Sequence, residues 1–281
     1  AALDARGVSV GVRDRRVVDV QLQWLTRQPL NQNYGYSLRI VDGDGLEVAK
    51  QDGQPGFGFL PSSGWPTGQW IDDWIGMNWP EEARQAAGEG PFDLVARLYD
   101  VASGEVVLTR LLGQLVQRQG QLGYEPLEAT FEVPDDVTPL AAQFGPTDSE
   151  GLIGLAGYDL RREDDWLRLT LYWSADVPAQ EDLYHFVHLE DAGGAIVGQH
   201  DGMPRHNGYP TSQWRAGEVV ADEVAISLAE LASGDYRLYL GLYDLRDGVA
   251  NRVPITDKGG LPDGLVALNE RLKLPETIAI P

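Results

Sequence analysis

The chain of 281 residues carries 43 acidic against 22 basic residues, a net charge of −21, and 43% of it is hydrophobic. That charge repels phosphate backbones and anionic lipid headgroups, so nucleic acid is not an expected partner, while the apolar content is enough for sizeable cores. With no cysteine there is no disulfide framework, no thiolate nucleophile and no zinc site of the Cys type.

In chain order, Val8 to Val12 alternates weakly as an opening strand, and Val18, Val20, Leu22 and Trp24 then share one face of a second. Tyr34, Tyr36, Leu38 and Ile40 alternate toward Asp42-Gly43-Asp44-Gly45, a hairpin turn in which Asp-Gly supplies the positive φ. Leu46 to Gln51 returns as its partner. From Asp52 to Trp70 the chain reads as a loop rich in Gly, Pro and aromatics, with Trp74 and Trp79 close behind. Glu81 to Glu89 suits a short helix, Phe92 to Leu98 and Val106 to Val116 suit strands, and Leu127 to Val133 is expected to close the domain. Pro134 to Gly145, with Asp135-Asp136, Pro139 and only short apolar pieces, is the expected linker.

Beyond it the order repeats with cleaner alternation. The expected strands are Leu152 to Leu160, Leu167 to Trp173, Leu183 to Leu189, Ala195 to His200, Val219 to Leu228, Tyr236 to Tyr243, Arg252 to Thr256 and Leu265 to Leu274. A constant step of 149 residues carries Trp24 onto Trp173, Gly45 onto Gly194, Asp52-Gly53 onto Asp201-Gly202 and Pro55 onto Pro204. A step of 144 then carries Pro66-Thr67 onto Pro210-Thr211, Gln69-Trp70 onto Gln213-Trp214, and Leu98-Tyr99-Asp100 onto Leu242-Tyr243-Asp244. The difference of five is expected as an insertion in the loop before Trp70. The fold class that follows is all-β: two homologous antiparallel β-sandwich domains in tandem, jelly-roll or immunoglobulin-like, over 1–134 and 135–281.

All four histidines, His185, His188, His200 and His206, fall in one window, which tempts a metal reading. Three residues apart on a strand, His185 and His188 point to opposite faces and cannot share one ion. A structural or solvated role is expected, with His188 and His200 as the pair that adjacent strands could bring together. Asp42 and Asp44 resemble the start of a calcium loop, but the later ligands are missing, so a plain hairpin is favoured. Asp52 and Asp201, each followed by Gly, are expected to fix a turn by accepting backbone N–H groups. The recurring Trp70 and Trp214 are expected to plug the core. The unmatched Phe57, Phe59 and Trp65, together with Tyr209, His188 and His200, are the candidate ligand-binding residues, because exposed flat aromatics stack on sugar rings. Glu163-Asp164-Asp165 and Asp72-Asp73 read as charged turns. No Gly-x-Ser-x-Gly elbow, Walker loop, dinucleotide Gly fingerprint or His-Glu-x-x-His occurs, so no catalytic residue, cofactor or metal ion is expected.

The runs Phe186-Val187-His188-Leu189, Gln199-His200-Asp201-Gly202 with Pro204, Tyr209-Pro210-Thr211-Ser212 with Trp214, and Gly241-Leu242-Tyr243-Asp244 carry a resemblance. They resemble the β-rich region in the C-terminal parts of bacterial multi-pass membrane proteins that are similar to glycosyltransferases using lipid-linked sugars. It covers about Leu152 to Leu274 well and the first copy weakly, where Tyr36, Arg39 and Gln51 stand for His185, His188 and His200. It transfers no catalytic position. What it implies is location: an extracytoplasmic part, periplasmic or at the cell surface, tethered through a membrane-embedded part. No run here nears the ~18 apolar residues of a membrane span, so the chain itself is not expected to insert, and its start at Ala1 suggests a cut edge of something longer. The expected role is non-catalytic recognition or positioning of a glycan or cell-envelope partner. The alternatives are a purely structural or adhesive module and a secreted glycan-active hydrolase.

Overall fold

The computed structural model describes residues 3–145, 153–177, 179–256 and 266–281. It is almost entirely antiparallel β-sheet and divides by internal contacts into two units, Ala1–Glu128 and Ala129–Pro281.

Unit 1 contains β1 (Leu3–Arg13), β2 (Val17–Thr26), β3 (Tyr34–Val41), β4 (Glu47–Gly53), β5 (Trp70–Asn78), α1 (Glu81–Ala87), β6 (Phe92–Asp100), β7 (Val106–Arg118) and β8 (Gln121–Pro126). They form a three-stranded sheet in the order β1-β2-β5 and a five-stranded sheet in the order β4-β3-β6-β7-β8. Strict alternation on β2 turns Val18, Val20, Leu22 and Trp24 inward, where they meet Leu38, Ile40, Leu94, Ala96 and Leu98 from the other sheet. These side chains make one buried cluster between the sheets, the defining feature of a β-sandwich.

Unit 2 contains β9 (Thr138–Phe144), β10 (Ile153–Glu163), β11 (Trp166–Ala175), β12 (Tyr184–Glu190), β13 (Ile196–Gly202), β14 (Val219–Ser227), β15 (Gly234–Arg246), β16 (Val249–Arg252), β17 (Ile255–Thr256), β18 (Val266–Leu268) and β19 (Arg271–Ile280). One sheet runs β14-β11-β10-β9-β17 and the other β13-β12-β15-β19-β18, with β16 added on β15. Leu152 and Leu265, expected to open two of these strands, lie outside the described residues.

Three expectations need correction. The Pro134–Gly145 tract is not a bare linker, because it contains β9: Leu140, Ala142 and Phe144 alternate inward, and the Phe144 ring meets Trp173 edge-on at 5.7 Å. Leu127 to Val133 is not a closing strand. It carries only an isolated bridge from Thr130 to Val219, and β8 closes the sheet earlier. Trp70, expected at the end of the loop, and Asp72-Asp73, expected as a charged turn, lie in a strand, β5. Its inward residues Asp73, Ile75 and Met77 alternate with outward Trp70, Asp72 and Trp74, and a buried acid within the pattern masks the period of two.

The repeated step also runs further than the expected slip allows. Tyr34 N donates to Ser62 Oγ as Leu183 N does to Thr211 Oγ1, at 2.8 and 2.9 Å. Trp65 Nε1 donates to Leu60 O as Trp214 Nε1 does to Tyr209 O, at 3.0 and 3.1 Å. Both sets keep the 149-residue step, so Trp65, not Trp70, corresponds to Trp214. The five extra residues of unit 1 therefore fall after β5, in the connection to β6 that holds α1. There Arg84 is buried and donates from Nη1 to Trp79 O at 2.6 Å, fixing the short helix to the end of β5.

The hairpin turns follow expectation. Asp42 Oδ1 accepts from Asp44 N and Leu46 N at 3.0 and 2.8 Å, and Asp191 Oδ1 accepts from Gly193 N and Ala195 N at 2.8 and 2.9 Å. Gly45 and Gly194 take φ of 80° and 82°, where a Cβ would be strained. The carboxylates serve their own backbones, as in an Asx turn.

Candidate functional site

Each unit buries one aspartate in the strand that edges its first sheet. Asp73 in β5 accepts Trp24 Nε1 through Oδ2 at 3.2 Å and Gly56 N through Oδ1 at 3.2 Å. Asp222 in β14 accepts Trp173 Nε1 through Oδ2 at 3.2 Å and Arg205 N through Oδ1 at 2.8 Å. A buried carboxylate needs such donors to offset its lost hydration. What each acid holds in place is a turn of unusual hand. Gly56 and Phe57 lie at φ of 58° and 56°, and Arg205 and His206 both at 53°. Gly58 and Asn207 continue the left-handed run at φ of 79° and 64°. In L-residues this region is costly, and it persists where surrounding bonds over-determine it.

Beside this frame the two units differ. In unit 1 the turn leaves open a cleft of about 320 Å³, lined by Tyr36, Gln51, Asp52, Gly53, Gln54, Phe57, Gly58 and Gly76. Its floor is Tyr36, whose ring stacks on Trp24 with centroids 6.3 Å apart. Burial, helped by the charges of Asp73 and Asp52, pushes the Tyr36 hydroxyl up to about 12, so it remains protonated. Gly53 is required here, because a Cβ at that position would stand 2.5 Å from the Tyr36 hydroxyl. Asp52 ion-pairs with Lys50 Nζ at 2.9 Å. Burial pushes its carboxyl up, but Ser37, Lys50 and Arg39 outweigh that and hold it below the usual carboxylate range.

In unit 2 the matching positions hold histidines. Tyr36 corresponds to His185, Gln51 to His200 and Phe57 to His206. His185 is fully buried, with Nδ1 2.8 Å from Asp222 Oδ2. Its ring lies 5.3 Å from that of His200, which in turn stacks on His206 at 6.1 Å and 19°. Burial chiefly, then the neighbouring His185 and His206, pushes the His200 imidazole down to about 4 against the opposing pull of Asp222 and Asp201. Burial alone would push the Asp222 carboxyl up, but the facing His185 and the bonds from Arg205 N and Trp173 Nε1 hold it below the usual range. Among the described residues no group of three His, Asp or Glu side chains is set to hold a metal ion.

The six sequence-derived ligand candidates thus separate. Phe57 and Phe59 are exposed, at 79% and 91%, and Phe57 lines the cleft. Trp65 and Tyr209 are buried, at 5% each, because both sit under the long loop: Trp65 is bonded to Leu60 O, and the Tyr209 hydroxyl donates to Glu218 at 3.0 Å. They brace the loop rather than face a ligand. Trp70 is not a core plug but is exposed on the outer face of β5, with the Arg6 guanidinium 4.2 Å above its ring. His188 does not meet His200, because the register pairs Val187 with His200 and sets His188 opposite Gln199. His188 Nε2 lies 3.5 Å from Asp201 Oδ1 instead. The expected turn-fixing acids are likewise displaced. Asp52 and Asp201 take side-chain partners, Lys50 and Gln199, and the loop N–H groups go to Asp73 and Asp222. Carrying the 149-residue step one strand further would have matched Asp73 with Asp222.

No protein-family model matches the chain, and no curated protein matches it. Among solved structures, the chain is similar to a partial N-terminal region of the enterococcal surface protein, at 9% identity over 86% of this chain and 89% of that one, with a TM-score of 0.24. A β-glucuronidase from Ruminococcus gnavus, solved in complex with D-glucaro-δ-lactam, aligns at 13% identity over 94% of this chain, with a TM-score of 0.18. The chain spans only 36% of that enzyme's length. Likenesses this distant do not bear on what the chain does.

Proposed function

We propose that the chain is a non-catalytic recognition module whose unit 1 cleft takes one sugar residue of a neutral glycan. In this reading it serves as an extracytoplasmic appendage of a larger membrane protein of glycosyltransferase-like type. The observation that carries the glycan reading is the cleft lining. Its volume of about 320 Å³ is at the lower end of small-ligand pockets, roughly 300–1,000 Å³. The exposed Phe57 ring supplies a flat apolar wall for the C–H face of a pyranose, and Gln51, Asp52, Gln54 and the protonated Tyr36 hydroxyl supply donors and acceptors for its hydroxyls. With a net charge of −21 on the chain, an anionic glycan would be repelled.

The lining contains one carboxylate, Asp52, whereas glycoside hydrolysis needs two facing each other. Asp73 nearby is buried and bonded to Trp24 and Gly56, and Asp19, beside Gly76, is paired with Arg13 at 2.8 Å. This supports recognition over hydrolysis. The reading is tested by calorimetry of the full chain against a panel of neutral glycans, with Phe57→Ala and Phe59→Ala alongside. Phe57→Ala is expected to weaken binding about tenfold or more, the equivalent of exposing much of one aromatic side chain. Unchanged affinity in Phe57→Ala overturns the assignment of the cleft. Failure to bind any glycan moves the reading to a structural or adhesive module, and release of reducing sugar moves it to a hydrolase.

A further inference from the structure

The histidine cluster of unit 2 stands at the positions that line the cleft of unit 1. We propose that this cluster is a proton-operated latch: His200 and His206 hold the turn 203–209 shut over Asp222, and protonation releases it to expose a second cleft. The latch rests on unit 2 alone and stands whether or not unit 1 takes a sugar.

Three observations carry it. First, the closing contacts are made by titratable side chains. The His200 ring is wedged between His185 and His206, at 5.3 and 6.1 Å. Second, the neighbourhood disfavours another positive charge. From β12 it meets His185, from β13 Asp201, from β14 Asp222, and from the turn Arg205 and His206. Asp222 is a fully buried counter-charge, and it is already engaged by His185, Trp173 and Arg205 N. Asp201 is drawn toward His188 and Gln199. A proton on His200 therefore places a cation against two other imidazoles.

Third, the turn is the part able to yield. Arg205, His206 and Asn207 all lie in the left-handed region, where unit 1 uses glycine at two of three positions, Gly56 and Gly58. The side chains at 205 and 207 make the turn of unit 2 the more strained of the two. The bonds that hold it include Arg205 N to Asp222 at 2.8 Å, reciprocal bonds between Met203 and Asn207 at 2.9 Å each, Gly208 N to Arg205 O at 2.8 Å and Tyr209 N to Pro204 O at 3.1 Å. Released, it would uncover a hollow with Asp222 at its floor, lined by the counterparts of the residues that line the unit 1 cleft. The His200 value of about 4 fits this: the shut form disfavours the proton, and the open form restores an ordinary imidazole near 6.5.

The sign follows from linkage. A proton that binds the open form better drives opening as pH falls from about 6.5 toward 4, by about tenfold for each pH unit, with no further change once both forms are protonated. The test is amide exchange of the full chain, corrected for the intrinsic pH dependence of exchange, in wild type and in His200→Gln, which installs the unit 1 residue. In wild type, exchange at 203–209 is expected to rise about tenfold per unit between pH 6.5 and 4.5, while amides of β11 and β15 remain protected. In His200→Gln the rise is expected to be absent. An equal rise in both proteins, or none in wild type, overturns the latch. If β11 and β15 open together with the turn, the acid midpoint decides: a lower midpoint in His200→Gln upholds the latch and an unchanged one overturns it.

Discussion

Units 1 and 2 build the same frame and line it differently. In both, a buried Trp donates to a buried Asp 49 residues later, and that Asp holds a left-handed turn by one backbone N–H. Around this frame unit 1 places Tyr36, Gln51 and an outward Phe57 along a cleft, whereas unit 2 places His185, His200 and His206 with their rings in contact. The frame is therefore structural and the lining is where the units can differ in function. A β-sandwich tolerates this because the long loop is fastened from below, by Trp65 or Trp214 and by Ser62 or Thr211, independently of what faces out.

The largest effect is expected from cutting the frame. Asp222→Ala leaves Trp173 Nε1, Arg205 N and His185 Nδ1 buried without their acceptor, at a cost of about 3–5 kcal/mol. At roughly 2–4 °C per kcal/mol for a unit of this size, thermal unfolding should show unit 2 melting about 10 °C lower. Asp73→Ala strands fewer donors, Trp24 Nε1 and Gly56 N, and is expected to cost about 2 kcal/mol. Equal losses in the two variants would break the claim that unit 2 depends more heavily on its acid.

Next in size is the pH response, which should differ between the units. His200 is held neutral in the fold, so its contribution is complete above about 6.5 and is lost as pH falls toward about 4. Asp222 works in a lower window: its stabilisation is present above the ordinary carboxylate value of 3.8 and is lost as pH falls through its depressed folded value. Denaturant unfolding between pH 7 and 4.5 should thus show a loss of stability that His200→Gln reduces and that Gln51→Ala in unit 1 does not. Smaller still is the contrast between the two exposed phenylalanines. Phe57→Ala is expected to weaken glycan binding and Phe59→Ala, outside the cleft lining, to leave it within about twofold, with neither moving the melting temperature by more than about 2 °C.

The sandwich is legible in the sequence wherever alternation is undisturbed. Val18 to Trp24 and Leu167 to Trp173 read inward as they fold. Reading fails where a polar residue takes a core position. Asp73 and Asp222 interrupt the apolar period of their strands, so Asp72-Asp73 reads as a charged turn while Asp73 is in fact the bonded centre of unit 1. The aromatic candidates divide for a related reason. Composition marks Phe57, Phe59, Trp65 and Tyr209 alike, but only the loop's hydrogen bonds reveal which rings brace it from below. The histidines are legible as a window and not as a cluster, since strand register sets His200 beside His185 and away from His188.

The contrast between two linings of one frame is tested most directly by mapping amide shifts of the isotope-labelled chain, at pH 7, with the tightest-binding neutral glycan from the panel. Perturbations are expected at Gln51 to Gly58 and Gly76, with 199–207 silent. Shifts centred on 199–207, or on the outer face of β5 around Trp70 and Trp74 with Gln51 to Gly58 unmoved, would contradict it.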